Sequence, residues 1–181
     1  LRQLLSDSRT DHQVRQAAIF GLMHLDICKG DDENAWERAE TLDIEMKPAH
    51  WFDYLKTFIH EGQWERLLKW LRWLHPMIAK DKTAYAWEFL EFWDQVALHR
   101  EVGQEHRKAM ITLLPTSYPY YSNFLLRKEE YQTWADLNLL LDVPPMNIDS
   151  SQLKLVEKAN VRYLLPIYHH AIEASIQAKS R

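Results

Sequence analysis

Apolar positions along the chain recur at helical spacing. Val14, Ala17, Ala18, Gly21, Leu22 and Leu25 follow an i, i+3, i+4, i+7 pattern, which predicts an amphipathic helix with that face in a core. Thr10 with Gln13 reads as a capping box at its start. Gly30-Asp31-Asp32 ends this helix and caps a second over residues 33–42. Lys47-Pro48 opens a third, with Pro at the first helical position, where its missing N–H costs little. That helix runs to His60, and Glu61-Gly62 turns the chain.

Residues 63–75 carry two apolar faces. Trp64, Leu67, Leu68, Leu71 and Leu74 form one, and Trp70, Trp73 and Met77 lie beside it. A helix apolar on more than one side has to touch several neighbours. Asp81 reads as the cap of a long helix over 82–101, which is nearly apolar all round and so belongs in the centre; Gly103 breaks it. Further helices follow over 104–114, stopped by Pro115, over 118–127 with Ser117 as cap, and over 129–141, ended by Pro144-Pro145. A last one spans 150–178, with Asp149 and Gln152 as a box and Pro166 kinking or splitting it near Leu164.

The resulting hairpins are 11–42, 48–76, 82–114 and 118–142, followed by a lone helix. Short turns at Gly62-Gln63, Gly103-Gln104 and Lys128-Glu129 make consecutive helices antiparallel. A phrase also recurs. Trp36-Glu37-Arg38 precedes Pro48, and Trp64-Glu65-Arg66 precedes Pro76, 28 residues further on. A looser copy starts at Tyr131 with Trp134 and reaches Pro144. Such self-similarity is the mark of stacked helical hairpins. The expected fold is all-α: stacked antiparallel helical hairpins, a TPR-like α-solenoid, in one helical-repeat domain over residues 1–181.

Composition agrees. Hydrophobic residues make up 46% of the chain, Gly is scarce at four and Trp abundant at eight, which favours a packed helical protein over a disordered tail. Net charge is −4 over 181 residues, so no overall basic field attracts nucleic acid or an anionic membrane. One cysteine, Cys28, excludes an internal disulfide and suits a reducing, cytoplasmic compartment. The longest uncharged run, 109–126, is too polar and too Pro-broken to span a bilayer.

The candidate chemistry is thin. His24 and Cys28 share a helix face at a spacing that suits two zinc ligands, but nothing closes a site around them, and an isolated Cys is ordinarily packing. His50 with Asp53 lacks a neighbouring nucleophile. Glu88 and Glu91 read as an exposed acidic edge. His169-His170 point about 100° apart on a helix and do not chelate; at least one is expected in the core. Tyr118, Tyr120, Tyr121 and Phe124 form either a ligand platform or hairpin packing. Gly-rich phosphate loops and hydrolase motifs are absent from the sequence. One patch stands out: Arg66, Lys69 and Arg72 interleaved with Trp64, Trp70 and Trp73, in a stretch (63–82) of net +3. Basic residues beside aromatics can hold single strands by phosphate contact and base stacking. Residues 154–181 are also +3.

The stretch Val161-Arg162-Tyr163-Leu164-Leu165-Pro166-Ile167-Tyr168-His169-His170-Ala171-Ile172-Glu173 resembles the helical C-terminal region of bacterial SWIM zinc-finger proteins. The resemblance covers about 20 residues closely. It implies a parent protein with an N-terminal zinc module that binds DNA or protein. None of those zinc ligands is in this chain, so no cofactor is expected of the residues present. A start at Leu1 and an unpartnered last helix add the expectation of a piece of a longer protein. The functional expectation is a non-catalytic interaction module with a protein partner, and with no membrane or small-molecule role. Its partner-binding candidates are Arg66, Lys69, Trp70, Arg72 and Trp73, because Trp and Arg dominate interface energetics. The alternative is a nucleic-acid-binding accessory domain, which requires Arg66, Lys69 and Arg72 to line up with Lys154, Lys158 and Arg162.

Overall fold

Ten α-helices appear among the described residues of the computed structural model, which describes residues 12–42, 47–80 and 85–179. They are α1 His12–Lys29, α2 Asp32–Glu40, α3 Ala49–His60, α4 Trp64–Lys80, α5 Ala86–Ala97, α6 Gly103–Thr112, α7 Tyr118–Arg127, α8 Tyr131–Leu140, α9 Ser150–Asn160 and α10 Leu165–Lys179. Short 3-10 turns at Pro145–Asn147 and Val161–Tyr163 complete the secondary structure, and no described residue is in a strand. The chain is all-α. The expected caps at Thr10 and Asp81 lie outside the described residues.

The chain divides into two compact units, Leu1–Phe52 and Asp53–Arg181. The sequence reading treats it as one domain because no linker separates them; the boundary falls inside α3.

In the first unit α1 packs along α2. The core side of α1 is Ala18, Ile19, Leu22, Met23 and Ile27, while Val14 and Leu25 are exposed. The buried arc is therefore turned from the expected face toward the larger side chains Ile19, Met23 and Ile27, which remove more apolar area from water. Arg38 Nε reaches Asp26 Oδ2 at 2.5 Å and ties the two helices together.

In the second unit helices pack in chain order: α4 on α5, α5 on α6, α6 on α7 and α7 on α8. The C-terminal half of α3 joins α4 through Phe58 and Tyr54, whose rings lie 5.8 and 6.4 Å from that of Trp70. Helix α4 outruns its expected end. Pro76 lies inside it, and the helix continues because Leu74 and Ile78, on either side of the proline, are fully buried. The expected final helix divides in two. Asn160 Oδ1 accepts from the Arg162 N–H, the 3-10 turn follows, and α10 begins with Pro166 at its second residue. Nor is it a lone helix, since α10 packs on α8.

One turn chemistry recurs. Asp31 N–H donates to the Asp26 carbonyl and Gly30 N–H to that of Ile27; the same bond pair occurs at Gln63/Phe58 with Gly62/Ile59 and at Glu130/Leu125 with Glu129/Leu126. This is the Schellman cap, in which a left-handed residue lets the chain reverse while satisfying the last helical carbonyls. Gly30, Gly62 and Glu129 hold the left-handed position, with φ of 80°, 68° and 58°. Gly103 does not act this way; it is the first residue of α6.

The 28-residue phrase does not mark equivalent places. Trp36 sits in the middle of α2, whereas Trp64 opens α4 and Tyr131 opens α8. Some contacts in the second unit share another interval. Glu65–Arg100 and Arg72–Glu105 join residues 35 and 33 apart. The ring pairs Trp64–His99 and Trp87–Tyr120 have the same separations of 35 and 33.

Candidate functional site

The five sequence-nominated residues lie on or under α4. Trp70 is 0% exposed, packed edge-to-face on Trp73 at 5.4 Å and against Phe58 and Tyr54. It is a core residue, and its nomination as a partner contact is corrected. Trp73 is half-buried beside it. Arg66 lies over the Phe58 ring at 4.3 Å and donates to Gln63 Oε1. Arg72 makes a two-pronged bond to Glu105, at 2.7 and 2.8 Å. That pair holds the Glu105 carboxyl below its ordinary range. Lys69 is exposed. The interleaving of basic and aromatic residues thus resolves into a buried aromatic seam with a charged edge, on which Arg72 is neutralised by Glu105.

The weaker candidates also take definite places. Cys28 Sγ stands 3.5 Å from His24 Nε2, both exposed. No group of three or more His, Cys, Asp or Glu suited to a metal occurs among the described residues, so this pair does not fit a structural zinc, which takes four ligands. His50 Nδ1 contacts the Lys47 carbonyl. Glu88 pairs with Lys56 at 2.9 Å. His169 and His170 are both exposed, and His170 bonds Asp142 at 2.8 Å, which corrects the expectation of a core histidine there.

The tyrosine cluster separates into two roles. Tyr118 donates to Asn138 Oδ1, and Tyr121 accepts from Arg107 Nε; both are structural. Tyr120 faces the other way. Its ring meets Trp87 edge-on at 5.4 Å, and its hydroxyl lies near the Asp94 carboxylate.

Here the second unit opens into two cavities. One, of about 560 Å³, is walled by Trp87, Tyr120, Leu126 and Leu155. The other, of about 1040 Å³, runs past His106, Phe124 and the α6 N-terminus. Asp94 and Arg127 line both, so the two form one cleft. Helices α5, α6, α7 and α9 supply its walls.

Electrostatics distinguish the junction from its surroundings. Arg100 is matched by Glu65, Arg72 by Glu105 and Arg107 by Glu130. Arg127 has no such carboxylate partner among the described residues. His106 is only 3% exposed and stacks parallel to Trp93, 6.2 Å between centroids. Its Nε2 lies 3.5 Å from Asp94 Oδ1 and has no hydrogen-bond partner. Burial pushes its imidazole below the ordinary range; Asp94 opposes this and Arg127 adds to it. Burial, and then the neighbouring Asp94 carboxylate, push the Tyr120 phenol well above its ordinary range.

Sequence reasoning touched this cleft at Tyr120 and Phe124. Asp94, His106 and Arg127 come from three helices and share no spacing.

No protein-family model matches the chain, and no solved structure matches it. The chain is similar to the uncharacterized protein YwqB of Bacillus subtilis (strain 168), 26% identical over 172 residues, which cover 90% of this chain and 32% of that protein. The chain spans about a third of the length of this curated relative.

Proposed function

We propose that this chain is a non-catalytic interaction module, a TPR-like stack of helical hairpins within a SWIM zinc-finger-type protein of the bacterial cytoplasm, and that it holds a protein partner. The cleft at Asp94 and Arg127 carries the reading. It is open, roomy and neutral in balance, with polar groups that the fold leaves unmatched, as a surface awaiting a partner requires. Contacts at separations of 33 and 35 residues support the stacked arrangement, because a repeat touches its neighbour at a constant interval. The resemblance of residues 161–173 supports the parent family. The burial of Trp70 and the pairing of Arg72 favour a protein partner over nucleic acid, since stacking and phosphate contact both need exposed groups.

The test is photo-crosslinking in intact cells, with p-benzoylphenylalanine placed at Gln104 on the cleft rim or, as control, at the exposed Glu173. A protein adduct from Gln104 alone, lost on Arg127→Glu, is the expected result. A nuclease-sensitive adduct would hand the function to nucleic acid. No adduct at Gln104 would sink the reading.

A further inference from the structure

The partner's chemistry can be read from what the cleft lacks. Asp94 and Arg127 line the same junction, yet no ion pair joins them. An anionic group brought to Arg127 meets the Asp94 carboxylate. A cationic group brought to Asp94 meets the Arg127 guanidinium. Either incoming charge loses much of its attraction to the opposing one. A neutral group that offers one donor and one acceptor suffers neither penalty. It donates to Asp94, whose carboxylate has lone pairs to spare, and it accepts from Arg127. A backbone amide is such a group.

The two arms of the cleft extend the argument. The smaller arm has aromatic and aliphatic walls, from Trp87, Tyr120, Leu126 and Leu155, and about 560 Å³ of space. That is enough for one large apolar side chain. The larger arm passes the α6 N-terminus, where Arg100 and Arg107 are already paired with carboxylates. Its lining, which includes Lys128 as well as Arg127, carries as many carboxylates as cations, so it offers a chain room to continue without a net positive field for phosphates. Asp94 is also backed by His106 Nε2, buried and without a hydrogen-bond partner, so the junction is a built polar centre rather than a chance surface pair.

We propose that the cleft around Asp94 and Arg127 binds an extended, uncharged peptide segment. One backbone amide lies between those two side chains, and one large apolar side chain fills the pocket beside Trp87 and Tyr120. This rests on the interaction-module reading and names its ligand.

The experiment uses the whole chain labelled with 5-fluorotryptophan, its Trp87 ¹⁹F resonance assigned by Trp87→Phe. Probes are the capped heptapeptide Ser-Ala-Ser-Phe-Ser-Ala-Ser, a version with Ala for Phe, versions with Asp or Lys flanking the Phe, and a short oligo(dT). The neutral Phe peptide shifts the Trp87 resonance saturably while the buried Trp93 and Trp134 report an intact fold. Replacing Phe by Ala weakens binding about tenfold or more, and both charged versions bind more weakly than the neutral one. Asp94→Asn moves preference toward the Asp-flanked peptide, and Arg127→Gln toward the Lys-flanked one; loss of packing alone would not reverse a charge preference. The proposal is overturned if no peptide gives a saturable shift, if the Ala peptide binds as well as the Phe peptide, or if oligo(dT) binds instead. Should the peptides fail while Gln104 still captures a protein in an Arg127-dependent way, the module reading survives and only this ligand falls. Failure of both removes both.

Discussion

Helices α4 and α10 look alike as sequences and differ as structures. Both carry large apolar residues at helical spacing, mainly Leu and Trp in α4 and Ile in α10, and both have a proline inside their bounds. Helix α4 buries Leu67, Leu68, Trp70, Leu71, Leu74 and Ile78. In α10, Ile167 is buried, whereas Tyr168, Ile172 and Ile176 are 41%, 57% and 63% exposed. The difference lies in the neighbours. Helix α4 has α3 rings against Trp70 on one side and α5 on another, while the helix packed along α10 is α8. An apolar stripe thus specifies a helix, but the elements beside it decide how much of the stripe leaves water.

The comparison breaks most readily by truncation. Trp70→Ala is expected to cost about 3–5 kcal/mol, the range for removing a large buried aromatic. Ile172→Ala should cost under about 0.5 kcal/mol, as exposed substitutions do. Urea denaturation of the two variants measures both. A cost above about 1 kcal/mol at Ile172 would mean that the α10 face is covered in solution.

The contrast also explains what was legible beforehand. Helix periodicity, caps and turns are local, so the elements after Gly30, Gly62 and Lys128 and the division at Pro166 follow from the sequence. Trp70 shows where locality ends. Its residue type suggested an interface anchor, and only the arrangement of α3 and α4 reveals that the anchor holds the protein's own core. The cleft is harder still. Asp94, His106 and Arg127 stand together because α5, α6 and α7 pack, and the sequence contains no trace of that meeting. The recurring Trp-Glu-Arg phrase misled about the period, since matching letters fell at different depths in their helices.

Buried titratable groups sharpen the same contrast. Burial pushes His75 and His106 below their ordinary range, with Lys108 adding to the effect at His75. Both are bases that stay neutral in the folded chain while their unfolded counterparts take up protons below about pH 6.5. The sign follows: stability is full above that pH and falls as the pH drops toward the folded values. The slope has a ceiling of about 1.4 kcal/mol per pH unit for each group. His106→Gln should flatten part of that slope in thermal melts between pH 7 and 5. An unchanged slope would show that His106 takes up its proton as easily folded as unfolded.

The ion pairs give a smaller effect. Arg107 is partly buried, bound to Glu130 at 2.7 and 2.8 Å and to the Tyr121 hydroxyl at 3.2 Å. Arg72 makes an equally good pair with Glu105, but about half of each side chain is exposed. Arg107→Ala should cost about 1.5–2 kcal/mol, since its removal leaves partly buried acceptors unpaired. Arg72→Ala should cost less than about 1 kcal/mol, and less again in high salt. Equal losses in a urea series would mean that exposure does not separate the two pairs.

The smallest expected change has the opposite sign and tests the turns. Gly62 and Glu129 occupy the same left-handed position before α4 and before α8. For a residue with a Cβ that conformation costs about 1–2 kcal/mol. Glu129 is exposed, so replacing it loses little packing. Glu129→Gly relieves the backbone penalty but gives the unfolded chain more freedom, leaving a gain of about 0.5–1 kcal/mol. Gly62→Ala introduces the penalty instead. Its new Cβ would meet Trp64 Nε1 at an ordinary 3.8 Å, so the loss is one of backbone conformation rather than crowding. Opposite shifts in Tm for the two variants are the expected result. Shifts of the same sign would mean that the left-handed turn does not set the energetics of these hairpins, and that packing alone brings their helices together.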